Sequence, residues 1–535
     1  MRSMRWFILS FGLLVVWTGT VRLATAQTAA PAPSVVPVRL SDLIRSALQK
    51  NLDLQLARLQ PEFAEATVYQ ESAPFQPQLT ANFLADSAQN PSASVLAGAP
   101  VVEQRRTNMS LGFSQRIAWG TQIAINMNQN RTSTNSLFAS LNPQYNSGLS
   151  IQVTQPLLRG FGPWNAQANL RAAEKRHQQS LQAFEEAQMD LLLQVVQAYW
   201  DLVFAQKNLE VQKNSLALAE KLLRDTEVQI EVGVKAPIER TAAQAEVAAR
   251  RQNVVTATNL LQAATDRLKA LVEAIEGLMH RPGEVWQPMD EPPVPTPPDT
   301  LETYIEAAFR ERPQLVAVQA QLDAAQYQYR AALNQRLPQL NLVAAYSWAG
   351  LGGDQRILDF SRGITNATVL RVIPGSALDS LHQVLAGKYP TWSIGFQLAW
   401  PLKDSATRGL LLQTEAQLQT ARIELERQRQ NIVLQVRNAY RDLIAAQQSY
   451  EAAQASVRLQ REKLDAEQKK LELGLSTNFI VLQYQNDLAV AEQQLLQAQV
   501  NYAKAWAQLQ RAIGRFRPEQ VLQMYANLRP AGESQ

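Results

Sequence analysis

The sequence predicts a mainly α-helical protein with transmembrane β-strands, built from two tandem repeats that each give two β-strands and long antiparallel coiled helices. Three observations predict it: an internal duplication, proline-free stretches with a seven-residue apolar step, and four short segments in which apolar and polar residues alternate.

The duplication sets the layout. Residues 40–79 match 301–340 without a gap at an offset of 261, carrying Ala47 onto Ala308, Leu54 onto Leu315 and Pro77-Gln78-Leu79 onto Pro338-Gln339-Leu340. Residues 191–271 repeat as 432–512 at an offset of 241, with Gln194 on Gln435, Ala198-Tyr199 on Ala439-Tyr440, Gly233 on Gly474 and Gln244 on Gln485. Neither copy can bury its surfaces alone, so the fold comes from laying two copies side by side and from joining several chains. The expected divisions are a signal peptide at 1–26, a first repeat at 27–283, a Pro-rich linker at 284–300, a second repeat at 301–514 and a tail at 515–535.

The N-terminus has Arg2 and Arg5, an apolar run from Trp6 to Val21, and Ala24-Thr25-Ala26, which suits peptidase cleavage before Gln27. An uncleaved anchor is the alternative. No other segment approaches 18 consecutive apolar residues, so any passage through a membrane is as a β-barrel. The absence of cysteine excludes disulfides, thiol chemistry, thiolate metal sites and lipid anchors on sulfur. The net charge of +4 includes the arginines of the expected signal peptide, and the basic residues are scattered through helices instead of clustered with aromatics, which does not fit a nucleic-acid partner.

Within the first repeat, strands are expected near 78–86 and 148–155, followed by a coiled hairpin at 165–275. Leu79, Ala81 and Phe83 alternate with Gln78, Thr80 and Asn82, and Leu149, Ile151 and Val153 alternate with Ser150, Gln152 and Thr154. The segment Met109 to Asn130 alternates in part around a possible turn at Trp119-Gly120; it is either an extra hairpin or part of a long loop. The hairpin is announced by Val195, Leu202, Leu209, Leu216, Leu223 and Ile230, with Ala198, Ala205 and Ala219 in the intervening layer. That is a coiled-coil seam whose small layer lets helices approach closely. Its return helix carries Val247, Val254, Leu261 and Leu268.

The second repeat follows the same order. Strands are expected near 339–348 and 391–400, the latter with Trp392, Ile394, Phe396, Leu398 and Trp400 on one face and small or polar residues on the other. An apolar face ending in tryptophan opposite a polar face is what a transmembrane strand with a wet lumen needs. A hairpin at 405–513 repeats the seam with Val436, Leu443, Tyr450, Val457, Leu464 and Leu471, then Val481, Leu488, Leu495, Tyr502 and Leu509. Four spanning strands cannot close a barrel, so the chain must oligomerise through them.

The duplicated layout, the segment Gln155-Pro156-Leu157-Leu158-Arg159-Gly160-Phe161-Gly162 after a strand, and the hairpin tips "EVGVKAPIERTAAQAE" and "ELGLSTNFIVLQYQND" resemble the TolC-like outer-membrane efflux proteins over roughly residues 38 to 515. The resemblance implies a homotrimer in the outer membrane of a Gram-negative cell, with one 12-stranded β-barrel continued by a periplasmic α-helical tunnel. It implies a passive exit duct for efflux, or alternatively for type I protein secretion. The implied partners are a periplasmic adaptor (a membrane fusion protein), an inner-membrane transporter and outer-membrane lipid. Carried over position by position, Gly233, Val234, Lys235, Gly474, Leu475 and Ser476 match adaptor-contact positions, and Glu239, Ile480 and Gln483 match the gate. The second tip departs from the family pattern: Ile480 and Gln483 stand where paired aspartates line the narrowest ring, and Ser476 stands where an arginine bonds. Three copies of Ile480 facing the lumen would close by excluding water.

His177, His280 and His382 are far apart, and no carboxylate joins a nucleophile or base in a motif, so neither a metal, a cofactor nor catalysis is expected. An enzyme on a barrel therefore lacks its constellation. A periplasmic coiled-coil scaffold with no transport role is the alternative of another class; it would have no use for one-faced strands.

Overall fold

The computed structural model describes residues 35–94, 97–233, 236–273, 284–294, 299–361, 363, 367–473 and 475–526. The expected signal peptide lies outside the described residues. The first repeat runs β1 (Val35–Val38), α1 (Leu40–Lys50), α2 (Leu52–Ser72), β2 (Gln78–Pro91), β3 (Val101–Arg116), β4 (Gln122–Thr134), β5 (Leu141–Pro156), α3 (Ala168–Glu231) and α4 (Ile238–Val272). After β6 (Val285–Pro288), the second runs α5 (Leu301–Glu311), α6 (Pro313–Gln335), β7 (Gln339–Asp359), β8 (Thr368–Ile373), α7 (Ala377–Leu385), β9 (Pro390–Ala399), α8 (Ser405–Glu472) and α9 (Asn478–Ile513), with α10 (Pro518–Tyr525) at the end.

At a rise of 1.5 Å per residue, the 64 residues of α3 and the 68 of α8 make rods of roughly 100 Å. The expected seams hold them to their return helices. Val195, Leu202, Leu209, Ala198, Ala205 and Ala219 are buried on α3, and Leu261 and Leu268 face them from α4. Val436, Ala439 and Leu443 on α8 cluster with Tyr502, Ala505 and Leu509 on α9. The duplication also keeps a polar rung: Glu220 pairs with Arg251 at 3.0 Å in one hairpin, and Arg461 with Glu492 at 3.0 Å in the other. The offset of 241 lays Glu220 on Arg461 and Arg251 on Glu492, so the rung is conserved between the halves with its charges exchanged.

The main core lies midway along the rods, where short elements wrap α3. Leu40, Leu43, Ile44 and Ala47 give α1 one apolar face, and it packs with the fully buried Tyr199, Trp200, Phe516 and Val521. Asn51 ends α1 and starts α2: its backbone N–H donates to the Ala47 carbonyl, and its side chain accepts from the Leu54 N–H. Part of the segment expected as a linker is a strand: residues 285–288 pair in parallel with β1, from Val35 opposite Val285 to Val38 opposite Pro288. That pairing buries Trp286 in the core. The phenol of Tyr199 donates to Asp290 Oδ2 at 2.8 Å, and Asp290 Oδ2 also accepts from the Leu40 N–H at 2.8 Å. The described part of the tail also packs, with Phe516 and Val521 inaccessible. Salt bridges from Arg511 to Asp190 at 2.6 Å and to Glu186 at 3.0 Å tie the second repeat's return helix to α3.

The sheet corrects the expected strand number. All four expected strands form, but the first repeat contributes four full strands in place of two, and the second adds the short β8. The strand order is β2-β3-β4-β5-β7, with β7 pairing β9 along its first half and β8 along its end. The segment left open between loop and hairpin is β3–β4, closed at the turn where the Ile117 N–H donates to the Thr121 carbonyl at 2.9 Å. Its alternation is weakened in sequence because Gln115 and Gln129 stand at positions of the apolar face. Register with β2 and β5 decides it.

Candidate functional site

Two features of the fold bear on function: the two faces of the sheet and the two hairpin tips. Cross-strand registers place Phe83 opposite Met109, Leu111 opposite Met127, Ile125 opposite Ile151, Leu149 opposite Trp348, and Tyr346 opposite Trp392. Residues opposite one another share a face, so one apolar band crosses β2, β3, β4, β5, β7 and β9 without a break. It is exposed: Phe83 is 65% accessible, Trp392 71% and Phe396 72%. From Leu340 to Trp348 the band is about 26 Å long along the strand, which matches the apolar height of an outer-membrane barrel. The opposite face carries Thr80, Asn82, Ser110, Asn126, Ser150 and Ser393, polar and uncharged. Sequence reasoning found the band on four strands and left β3 and β4 undecided; Met109, Leu111 and Phe113 on β3 and Ile123, Ile125 and Met127 on β4 were the available signal.

Above the band, α7 lies across the same face. Its Ser380 hydroxyl sits 2.7 Å from that of Ser147, and Ser380 and Val384 are buried against β7 at Gly350 and Gly352. A Cβ on Gly350 would stand 1.9 Å from the Ser380 carbonyl oxygen, so only glycine admits this helix. Sequence reasoning missed α7: its capping box at Ser376 and Asp379 is a local signal, but its seat on the sheet is not.

The tips lie at the far ends of the rods. In the first, α3 is capped at Val232, and Gly233 follows at φ +79, donating its N–H to the Ile230 carbonyl at 3.0 Å. Val234 and Lys235 lie outside the described residues. In the second, the Leu475 N–H donates to the Lys470 carbonyl at 2.8 Å, closing the six-to-one bond of a Schellman ending; Gly474 lies outside the described residues. Both tips present bare apolar side chains: Val232 and Ile238 in one, Leu473, Leu475 and Phe479 in the other. Ser476 does not reach another hairpin. Its hydroxyl donates to Glu467 at 2.6 Å, and Lys470 pairs with the same carboxylate at 2.9 Å. The Ser476 bond and then the Lys470 bond hold the Glu467 carboxyl below its ordinary range. Glu239 sits exposed on the first turn of α4; Ile480, half-buried, and Gln483, exposed, are one turn apart on α9 and share a face.

No helix among the described residues is long and apolar enough to cross a membrane. Comparison with known proteins agrees with the arrangement of sheet and rods. Among solved structures, the outer-membrane channel OprN is similar at a TM-score of 0.61 and 17% identity, covering 89% of each chain. The open state of the Neisseria gonorrhoeae MtrE channel is similar at 0.58 and 19%, covering 90% of each. Among curated proteins, the chain is 26% identical to the outer membrane protein TolC of Vibrio cholerae over 367 residues, covering 68% of this chain and 76% of that one. It is 24% identical to the outer membrane efflux protein BepC of Brucella suis, covering 71% and 75%. It is 23% identical to the alkaline protease secretion protein AprF of Pseudomonas aeruginosa, covering 68% of each. The outer membrane efflux protein profile matches residues 43–273 and 304–515, one span in each repeat. With a duplicated match over most of its length and a fold shared with outer-membrane channels, this chain belongs to the outer membrane efflux protein family.

Proposed function

We propose that three copies of this chain form a passive duct through the outer membrane, continued into the periplasm by the helical rods. A periplasmic adaptor would dock on the tips, and an inner-membrane transporter would supply the energy. The observation that carries the reading is the join between two surfaces: a sheet with an unbroken exposed apolar face, and rods of roughly 100 Å that no globular core needs. A scaffold of coiled hairpins has no use for the first. Within the duct reading we adopt small-molecule efflux, in line with the family. Protein secretion is the second reading, favoured by the likeness to the alkaline protease secretion protein. Docking would use Gly233, Val234, Lys235, Gly474, Leu475 and Ser476, where exposed Leu475 and Phe479 offer apolar contacts to an adaptor.

The gate we assign to the tips, with Ile480 as an apolar constriction, Gln483 beside it and Glu239 on the neighbouring hairpin. Ser476 is turned onto Glu467, and the second tip carries Ser476, Ile480 and Gln483 where the family pattern has its arginine and paired aspartates. The test is single-channel conductance of purified trimers in planar bilayers. Small, stable currents that rise on Ile480→Asp fit the gate; an unchanged current overturns Ile480 as the constriction. A purified protein that stays water-soluble and inserts no pore overturns the duct.

A further inference from the structure

The resemblance to the family implies 12 strands, four from each copy, but this sheet has six strands that cross the apolar band. The strand ends show how it would close. Read perpendicular to the strands, Gln78 of β2 is level with Ser114, Ala124, Gln152, Ala345 and then Ser393 of β9. Gln78 is the first residue of β2, whereas Ser393 lies six residues above Ala399, the last of β9. The sheet therefore climbs six residues across one copy, which is the stagger a barrel requires. Among the described residues, neither outer edge, β2 or β9, has a second strand partner. In lipid those edges cannot remain unpaired.

We propose that β9 of each copy pairs antiparallel with β2 of a second copy of this chain, closing three copies into an 18-stranded barrel. The inference rests on the trimeric duct reading and changes its width. Bringing the lower ends flush, Gln78 beside Ala399, sets Leu79 against Leu398, Ala81 against Phe396 and Phe83 against Ile394. The apolar band then continues across the join, and Asn82 meets Gly395 on the polar face. A climb of six residues over six strands corresponds to a tilt of about 35°, the value found in barrels. Eighteen strands 4.8 Å apart at that tilt have a circumference of about 105 Å, a backbone diameter of about 34 Å. Because diameter grows roughly linearly with strand number, this mouth is about half as wide again as one of 12 strands. The narrow point of the duct then belongs to the tips and not to the barrel.

The chain has no cysteine, so introduced ones report cleanly. Asn82→Cys with Gly395→Cys lie at opposite edges of one copy and meet only across the join; oxidation should give covalent trimers. In single variants of the reconstituted protein, a water-soluble maleimide should label Ser110→Cys and Asn126→Cys, and labelling should be lost at Leu111→Cys and Ile125→Cys. Trimers by native mass spectrometry that label equally at 110 and 111 overturn the 18-stranded barrel and leave the duct standing. Trimers that alternate in labelling but never cross-link overturn the flush closure. Protein that forms no trimer overturns the duct reading itself. A cross-section of the nanodisc-embedded trimer by electron cryomicroscopy counts the strands directly: 18 supports the proposal and 12 refutes it.

Discussion

Replacing Tyr199 with Phe removes one oxygen from the waist of the molecule and leaves the ring in place. That oxygen donates to the Asp290 carboxylate at 2.8 Å and accepts from the Asp290 N–H at 3.2 Å, in a site where Tyr199 itself is inaccessible. A bond to an ionised group contributes about 1.5–3 kcal/mol and a neutral one about 0.5–1.5, so Tyr199→Phe should cost about 2–4 kcal/mol. The measurement is urea unfolding of the detergent-solubilised protein followed by the helical circular dichroism at 222 nm. The midpoint should fall while the slope stays constant. In an Asp290→Ala background the same substitution should cost less, because the carboxylate partner is gone and only the backbone N–H of residue 290 is left to bond the hydroxyl. Burial first, then the facing Asp290 charge, pushes the Tyr199 phenol above its ordinary value of 10. The unfolded chain therefore releases this proton before the folded one does, so the contribution of Tyr199 is fully present below pH 10 and is lost as pH rises beyond it. Tyr199→Phe should flatten that alkaline loss. An unchanged midpoint, or an equal cost with and without Asp290, would refute the coupling of β6 to α3 through this hydroxyl.

Three further outcomes follow from particular contacts. Gly350→Ala sets a methyl 1.9 Å from the Ser380 carbonyl, so α7 should lift from the sheet and residues 374–389 should become open to protease, with the trimer retained. Reversing the second rung with Arg461→Glu alone should cost no more than about 1 kcal/mol, and adding Glu492→Arg should restore it, since the first hairpin already carries the rung in that sense. Ser476→Ala should raise hydrogen exchange around residues 473–478 and let the Glu467 carboxyl return toward its ordinary pKa of 4.5, leaving the rest of α8 unchanged. Read by carboxylate chemical shift, no movement at Glu467 would show that Ser476 does not hold it.

The sequence by itself determined what depends on neighbours along the chain. The duplication, the rods with their leucine and alanine layers, the positive-φ glycine at 233 and the alternation of β2, β5, β7 and β9 were all legible, because helix and strand periodicity are local. The family was legible from the paired tips. What only the tertiary structure decided is what depends on partners far away in sequence. Val101–Arg116 and Gln122–Thr134 are strands because β2 holds the first in register over 14 residues and β5 the second over 11, against a local pattern that Gln115 and Gln129 blur. Residues 285–288 are a strand because β1, some 250 positions earlier, lies beside them. Ser476 turns inward because Glu467 is one helical ending away, which spacing alone does not reveal. The stagger across the sheet, on which the proposed barrel rests, exists only as a sum of registers across six strands, so no single segment of the sequence contains it.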